Sequence, residues 1–210
     1  MTSKTIVRDK VRAYLLEQMT SGKLNAGQPL NLAALARTLN VSVTPIREAL
    51  TQLQQSNLIK AIPNRGFVIS ELNYNEAKDL YELVADLEVL ALEHSIIEEG
   101  SIMRLKAQQT IFKNAVDTIS RINAKLEFHR LLTENYKNAL AQQLLADLKT
   151  RIFFYERAFM SDDEVYSKSD NQHDGIISAI EDDNVPTAAL LLKMNWMLIL
   201  NYIQKQLRID

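Results

Sequence analysis

At 210 residues, 47% of them apolar and 24% charged, the chain is long enough for one or two packed domains and too apolar to be disordered. It has no cysteine, which excludes disulfides and zinc-thiolate centres and fits a reducing cytoplasm. The net charge of −2 hides a split: residues 1–73 carry nine bases and four acids (+5), and the remainder carries fifteen and twenty-two (−7), so only the first third suits a polyanion.

In chain order, the start "MTSKTIVRDKVR" lacks the apolar run of a secretory signal. Residues 4–20 are predicted as a helix, with Ile6, Val11, Leu15 and Met19 at helical spacing. "SGKLNAGQPL" is a Gly/Pro loop. A second helix runs over 31–39, capped by Asn31, with an apolar face of Leu32, Leu35, Ala36 and Leu39, and Asn40 supplies the left-handed residue that ends it. A third helix follows at about 45–56, with Thr44 as its cap and Pro45 at its first position. Its apolar back is Ile46, Leu50 and Leu53, and its other side carries Arg47, Thr51 and Gln54. Leu58–Ile62 and Phe67–Ser70 are predicted strands around the turn Pro63-Asn64-Arg65-Gly66. Helix, helix-turn-helix and hairpin make a winged helix over residues 1–70. Residues 71–73 form a short linker.

Residues 74–210 are predicted as an all-α bundle, in segments of about 74–99, 101–117, 121–137, 139–160, 164–181 and 185–207. Gly100, the Asn138 region, "MSDDE" and "EDDNVP" are the expected breaks. The most apolar stretch, "AALLLKMNWMLIL", is interrupted by Lys193 and Asn195 and is too short and polar to span a membrane. The fold class expected is therefore mainly α, with one small β-hairpin.

The chemistry-bearing residues fall in two places. At the third helix, free N–H groups and the hydroxyls of Ser42 and Thr44 suit phosphate, and Arg47 reaches a guanine or a phosphate. The wing tip of Asn64, Arg65 and Gly66 is small and basic enough for a minor groove. In the helical part, His94 lies on the stripe of Val84, Leu87 and Ala91 and reads as a packing residue. His129 shares a face with Lys125, Phe128 and Leu132, and His173 shares one with Ile176, Ile177 and Ile180. Asn195 lies on the stripe of Leu191, Leu192, Leu198 and Ile199. These polar groups point inward, where they need partners. Lys125 is open to a second reading, in which it snorkels to water. No H-E-x-x-H, G-x-G-x-x-G, P-loop or Glu-x-x-His pattern supports an enzyme.

"LAALARTLNVSVTPIREALTQLQQSNLIKAIPNRGFVIS" resembles the winged-helix domain of the GntR family of bacterial transcription regulators. "LYELVADLEVLALEHS", "EFHRLLTEN" and "HDGIISAIEDDN" resemble the FadR-like, or FCD, effector domain over about residues 74–205. The resemblance implies a cytoplasmic homodimeric regulator, with repression the favoured sense, bound to palindromic operator DNA. It also implies a small effector, an organic acid, in the helical domain. Arg37, Ser42, Val43, Thr44, Arg47, Asn64, Arg65 and Gly66 become the DNA-binding set. In the family's V-S-R-T-P the Arg reads a base; here it is Val43, which either touches a thymine methyl or packs against the helix start. In many FCD domains two such histidines join a third His and an Asp to hold a divalent metal. Here Lys125 stands at the Asp position and Asn195 at that of the third His, and Val84 replaces a common Arg. The implied site is a metal-free effector pocket of Lys125, His129, His173 and Asn195; a metal, if bound, would rest on His129 and His173 alone. The alternative is a helical domain that only dimerises.

Overall fold

The structure, a computed structural model, describes residues 3–208, with side chains from Val7 onward. The chain divides between Leu72 and Asn73 into two compact units. The first contains α1 (Ser3–Thr20), β1 (Pro29–Leu30), α2 (Leu32–Leu39), α3 (Val43–Gln55), β2 (Ile59–Ile62) and β3 (Gly66–Ile69). Val11, Leu15 and Met19 of α1 are buried, as are Ile46, Ala49, Leu50 and Leu53 of α3, and the two helices pack together. Burying each large apolar side chain contributes roughly 1.5–3 kcal/mol. Ile6, placed on the same face by its spacing, lies outside the residues whose side chains are described. Asn31 caps α2 by accepting from the Ala34 N–H, and Asn40 ends it at φ 50°. The apolar face of α2 is only half-buried.

Two expectations are corrected here. Helix α3 starts earlier: Ser42 is its N-cap, Val43 its first residue, and Thr44 and Pro45 lie within its first turn. The sheet has three antiparallel strands in the order β1-β3-β2 rather than two, because Pro29 and Leu30 pair with Val68 and Phe67. The loop read as "SGKLNAGQPL" thus hides a strand of two residues, too short for any alternation to show. The β2–β3 turn follows its sequence signature. The Arg65 N–H donates to the Ile62 carbonyl at 3.0 Å, with Pro63 second and Asn64 third at φ 62°, the type II arrangement. Gly66 follows at φ 82°, where only glycine is unstrained.

The second unit contains α4 (Tyr74–Glu93), α5 (Glu99–Lys113), α6 (Thr118–Thr133), α7 (Ala139–Phe159), α8 (Asp163–Glu181) and α9 (Val185–Gln206). Its main packing pairs are α4 with α9, α8 with α9, and α5 with α6. Asn73, Asp117, Asn138, Asp162 and Asn184 cap five of these helices with their side chains. Gly100 is not a break; it sits in the first turn of α5, and the chain leaves helix at 95–98 instead. His94 is not a core residue either. It is the exposed C-cap of α4, with its Nδ1 2.9 Å from the Leu90 carbonyl. The helix simply stops before the stripe reaches it. Gly175 allows α8 to approach α9 closely, since a Cβ there would lie 3.0 Å from Leu191 Cδ1.

The entrance to this unit is pinned to α7. The Tyr155 hydroxyl donates to Glu76 Oε2 at 2.6 Å and accepts from the Asn73 N–H at 3.0 Å. Arg151 grips both oxygens of Glu76, at 2.8 and 2.6 Å.

Candidate functional site

In the first unit, all eight residues expected at DNA are exposed: Arg37, Ser42, Val43, Thr44, Arg47, Asn64, Arg65 and Gly66. Their positions follow from local rules. The left-handed Asn40 and the short turn after it set α3 going directly from α2. The apolar back of α3 then faces α1, which leaves Arg47 and Thr51 outward. Val43 is 37% exposed, so it does not pack into the core.

The N-terminus of α3 is unusual among its neighbours. Ser42 makes no side-chain cap hydrogen bond, although Asn31 caps α2 in the ordinary way. A cap oxygen usually accepts from the second or third N–H of its helix. Pro45 occupies the third position and has no N–H to give. The Val43 and Thr44 amides are left facing outward with the Ser42 and Thr44 hydroxyls, and a helix N-terminus of this kind is a ready anion site.

In the second unit, Lys125, His129, His173 and Asn195 are all buried, each no more than 1% exposed. They meet in one cluster. The rings of His129 and His173 lie 5.2 Å apart, His173 stacks on Phe128 at 4.2 Å, and Trp196 lies 4.3 Å from His129. Lys125 Nζ sits 4.7 Å over the Trp196 ring. Asn195 Nδ2 donates to the Ser169 carbonyl at 3.3 Å, to Ser169 Oγ at 3.0 Å and to Gln172 Oε1 at 3.0 Å.

Two carboxylates absent from the sequence-based set complete the cluster. Lys125 Nζ donates to Glu156 Oε1 at 2.5 Å. Glu88 Oε2 accepts from His129 Nδ1 at 2.7 Å and from Trp196 Nε1 at 2.6 Å, and Lys149 Nζ pairs with Glu88 Oε1 at 2.6 Å. Burial alone would raise the Glu88 carboxyl, but the Lys149 ammonium and His129 hold it down to about 2. Burial lowers His129 despite Glu88 beside it, and it lowers His173 well below the usual histidine range, aided by repulsion from His129 and Lys125. Both rings are therefore neutral near pH 7.

These contacts correct two expectations. Lys125 neither snorkels to water nor offers a free positive charge, because Glu156 neutralises it in the core. With Lys149 matched by Glu88 as well, the cluster carries no net charge to select an organic acid. A divalent metal needs three or more convergent His or carboxylate donors. Among the described residues no such group of three occurs. An ammonium at position 125 and an amide at position 195 leave His129 and His173 alone, so the residues present do not fit a metal.

A family model described as "Bacterial regulatory proteins, gntR family" matches residues 7–69, and one described as "FCD domain" matches residues 79–195. The chain is 32% identical over 148 residues to the HTH-type transcriptional regulator YdhC of Bacillus subtilis, covering 67% of this chain and 65% of that protein. It is 27% identical over 121 residues to the HTH-type transcriptional regulator McbR of Escherichia coli, covering 54% and 55%. These matches span less than two thirds of either relative's length. The solved structure of E. coli McbR/YncC superposes with a TM-score of 0.82 over 98% of this chain and 99% of that one, and at 19% identity this likeness speaks for the fold alone.

Proposed function

The chain belongs to the GntR family of bacterial transcription regulators and carries an FCD domain, and from that premise we propose that it binds a palindromic operator as a homodimer under the control of a small molecule held among His129, Glu156, His173 and Asn195. The family is one of transcription regulators, not of enzymes. The observation that carries the DNA half is the uncapped, exposed N-terminus of α3 with Arg47 one turn inside it. Val43 is the residue offered to a thymine methyl. The wing residues Asn64, Arg65 and Gly66 approach the adjacent groove, and Arg37 lies at the end of α2 for the backbone. Repression is the sense proposed, because occupying an operator requires no further contact.

A homodimer is supported by an exposed stripe. Leu83 and Leu90 on α4 and Leu190 and Met194 on α9 stand exposed on two helices that pack together. Between them Asp86 and Lys193 pair at 2.7 Å. One acid and one base within an apolar face are self-complementary, as a two-fold interface requires. Leu83→Glu with Leu190→Glu should shift the protein to monomer in light scattering; an unchanged dimer would place the interface elsewhere.

The DNA reading is tested by selecting an operator from a randomised library and measuring Arg47→Ala against it at fixed salt. A bidentate base contact predicts a loss of ~1–3 kcal/mol with relaxed preference at one base step. Undiminished affinity and an unchanged sequence logo would remove α3 from the recognition role.

A further inference from the structure

We propose that the buried cluster of the second unit accepts a guest that donates hydrogen bonds and carries no negative charge, an amine or a hydroxyl compound, because His129 Nε2 and Glu156 Oε2 present lone pairs that no protein group satisfies. This rests on the effector reading above and assigns the ligand's class.

The protein's own hydrogen bonds determine the direction of each group. Glu88 is ionised and can only accept, so the proton of neutral His129 sits on Nδ1 and its Nε2 is an acceptor. Gln109 donates its Nε2 to the Asp170 carbonyl at 3.1 Å, which turns its Oε1 toward His173 Nδ1 at 3.0 Å. His173 therefore also carries its proton on Nδ1. Asn195 places its amide N–H groups on Ser169 and Gln172, and its side chain also lies in hydrogen-bond contact with His173, so these two groups serve each other. Glu156 gives one oxygen to Lys125 and keeps the other unpaired.

Two unpaired acceptors in a core would each lose solvation without recompense unless a donor meets them. A carboxylate guest brings more acceptors and worsens the mismatch. The opposing donors in the cluster are the unpartnered Tyr166 hydroxyl and the Lys125 ammonium, and Glu156 already holds the latter. The aromatic walls of Phe128, Phe112 and Trp196 around the two rings suit a compact guest with an apolar side.

The test has two arms on the full chain. The first is nitrogen NMR of the histidine rings at pH 7, assigned by removing His94 with His94→Gln. The expected result is an Nδ1–H tautomer for both His129 and His173. An Nε2–H tautomer or an imidazolium at His129 would overturn the proposal without touching the effector reading. The second arm compares ethanolamine, ethylene glycol and glycolate, which share a two-carbon frame, by melting temperature and by the same ring nitrogens. Ethanolamine or ethylene glycol should raise the melting temperature and shift the His129 Nε2 signal, with glycolate inert. A response to glycolate alone would overturn the donor class while keeping the effector site. If compounds of every class leave both readouts unmoved across a wider set of amines, alcohols and acids, the effector reading itself falls and the proposal with it.

Discussion

Lys125 and Glu156 show how far a single position can mislead when its partner is out of sight. A Lys at the place of a metal-ligating Asp reads as a new positive charge, but the structure closes that charge on a carboxylate from α7. Taking two charges out of water is expensive, and the pair breaks even only with good geometry. Lys125→Met should leave Glu156 buried and unpaired and destabilise the second unit by ~3–5 kcal/mol, whereas Lys125→Met with Glu156→Gln should recover most of the loss. The only tryptophan, Trp196, lies buried in this unit and reports its unfolding by fluorescence in denaturant titrations. Equal losses in the single and double variants would mean that the two side chains act independently. Glu88 and Glu156 did leave a trace in the sequence. Glu88 stands among buried Val84, Ala85, Ala91 and Leu92, and Glu156 follows Ile152, Phe153 and Tyr155. An acid inside an apolar stripe announces burial; its partner comes from another helix, which periodicity does not reach.

At the scale of elements, periodicity and caps carried most of the reading. Asn31, Asn40 and the Pro63-Asn64 turn act through their own backbone neighbours, so they are legible without the fold. β1 has no local signal, since it exists only by pairing with β3. α3 starts ahead of the position that its sequence suggests because Thr44-Pro45 imitates a cap and first turn, while Pro45 sits at the third position, where it has no N–H to offer the Ser42 side chain. That detail also yields a prediction. Ser42→Asp puts a negative charge at the N-terminus of α3, which should leave the fold as stable or slightly more so. Its carboxylate then competes with phosphate for the Val43 and Thr44 amides, so operator affinity should fall by ~1 kcal/mol or more, most at low salt. Anisotropy titrations at two salt concentrations measure this. Wild-type affinity in both would show that the phosphates are held elsewhere. Gly66 belongs with these backbone arguments: its φ of 82°, not crowding, restricts the position, as a Cβ there would meet nothing within 4 Å.

At the scale of the whole chain the two units answer to different variables. The first is basic and holds none of the three histidines, whereas the second is acidic and holds all of them. Helix α7 joins two features of the second unit: Lys149 and Glu156 serve the buried cluster, and Arg151 and Tyr155 hold Glu76 and Asn73 where that unit begins. A charge change in the cluster therefore acts on the helix that fixes the start of α4, and a pH change is the simplest way to impose one. Burial depresses His129 and His173 below their unfolded value of about 6.5, so the unfolded state binds more protons than the folded one as pH drops. Stability of the second unit is then complete above about pH 6.5 and declines below it, by up to ~1.4 kcal/mol per pH unit for each ring until the folded value is reached. Glu88, held at about 2, enters only below its unfolded value near 4.5 and removes stability in the same direction as pH falls toward 2. The Lys125 ammonium opposes a proton on either ring, and the Lys149 ammonium opposes one on His129, while Glu88 beside His129 favours it. Melts followed by Trp196 fluorescence at pH 7.5, 6.0 and 5.0 should show the second unit losing stability stepwise, while a far-ultraviolet signal from the first unit, isolated by difference, moves little. A second-unit midpoint that holds constant from pH 7.5 to 5.0 would show that the rings accept protons in the folded state as readily as in the unfolded one, and would dissolve the neutral, acceptor-lined cluster on which the ligand class depends.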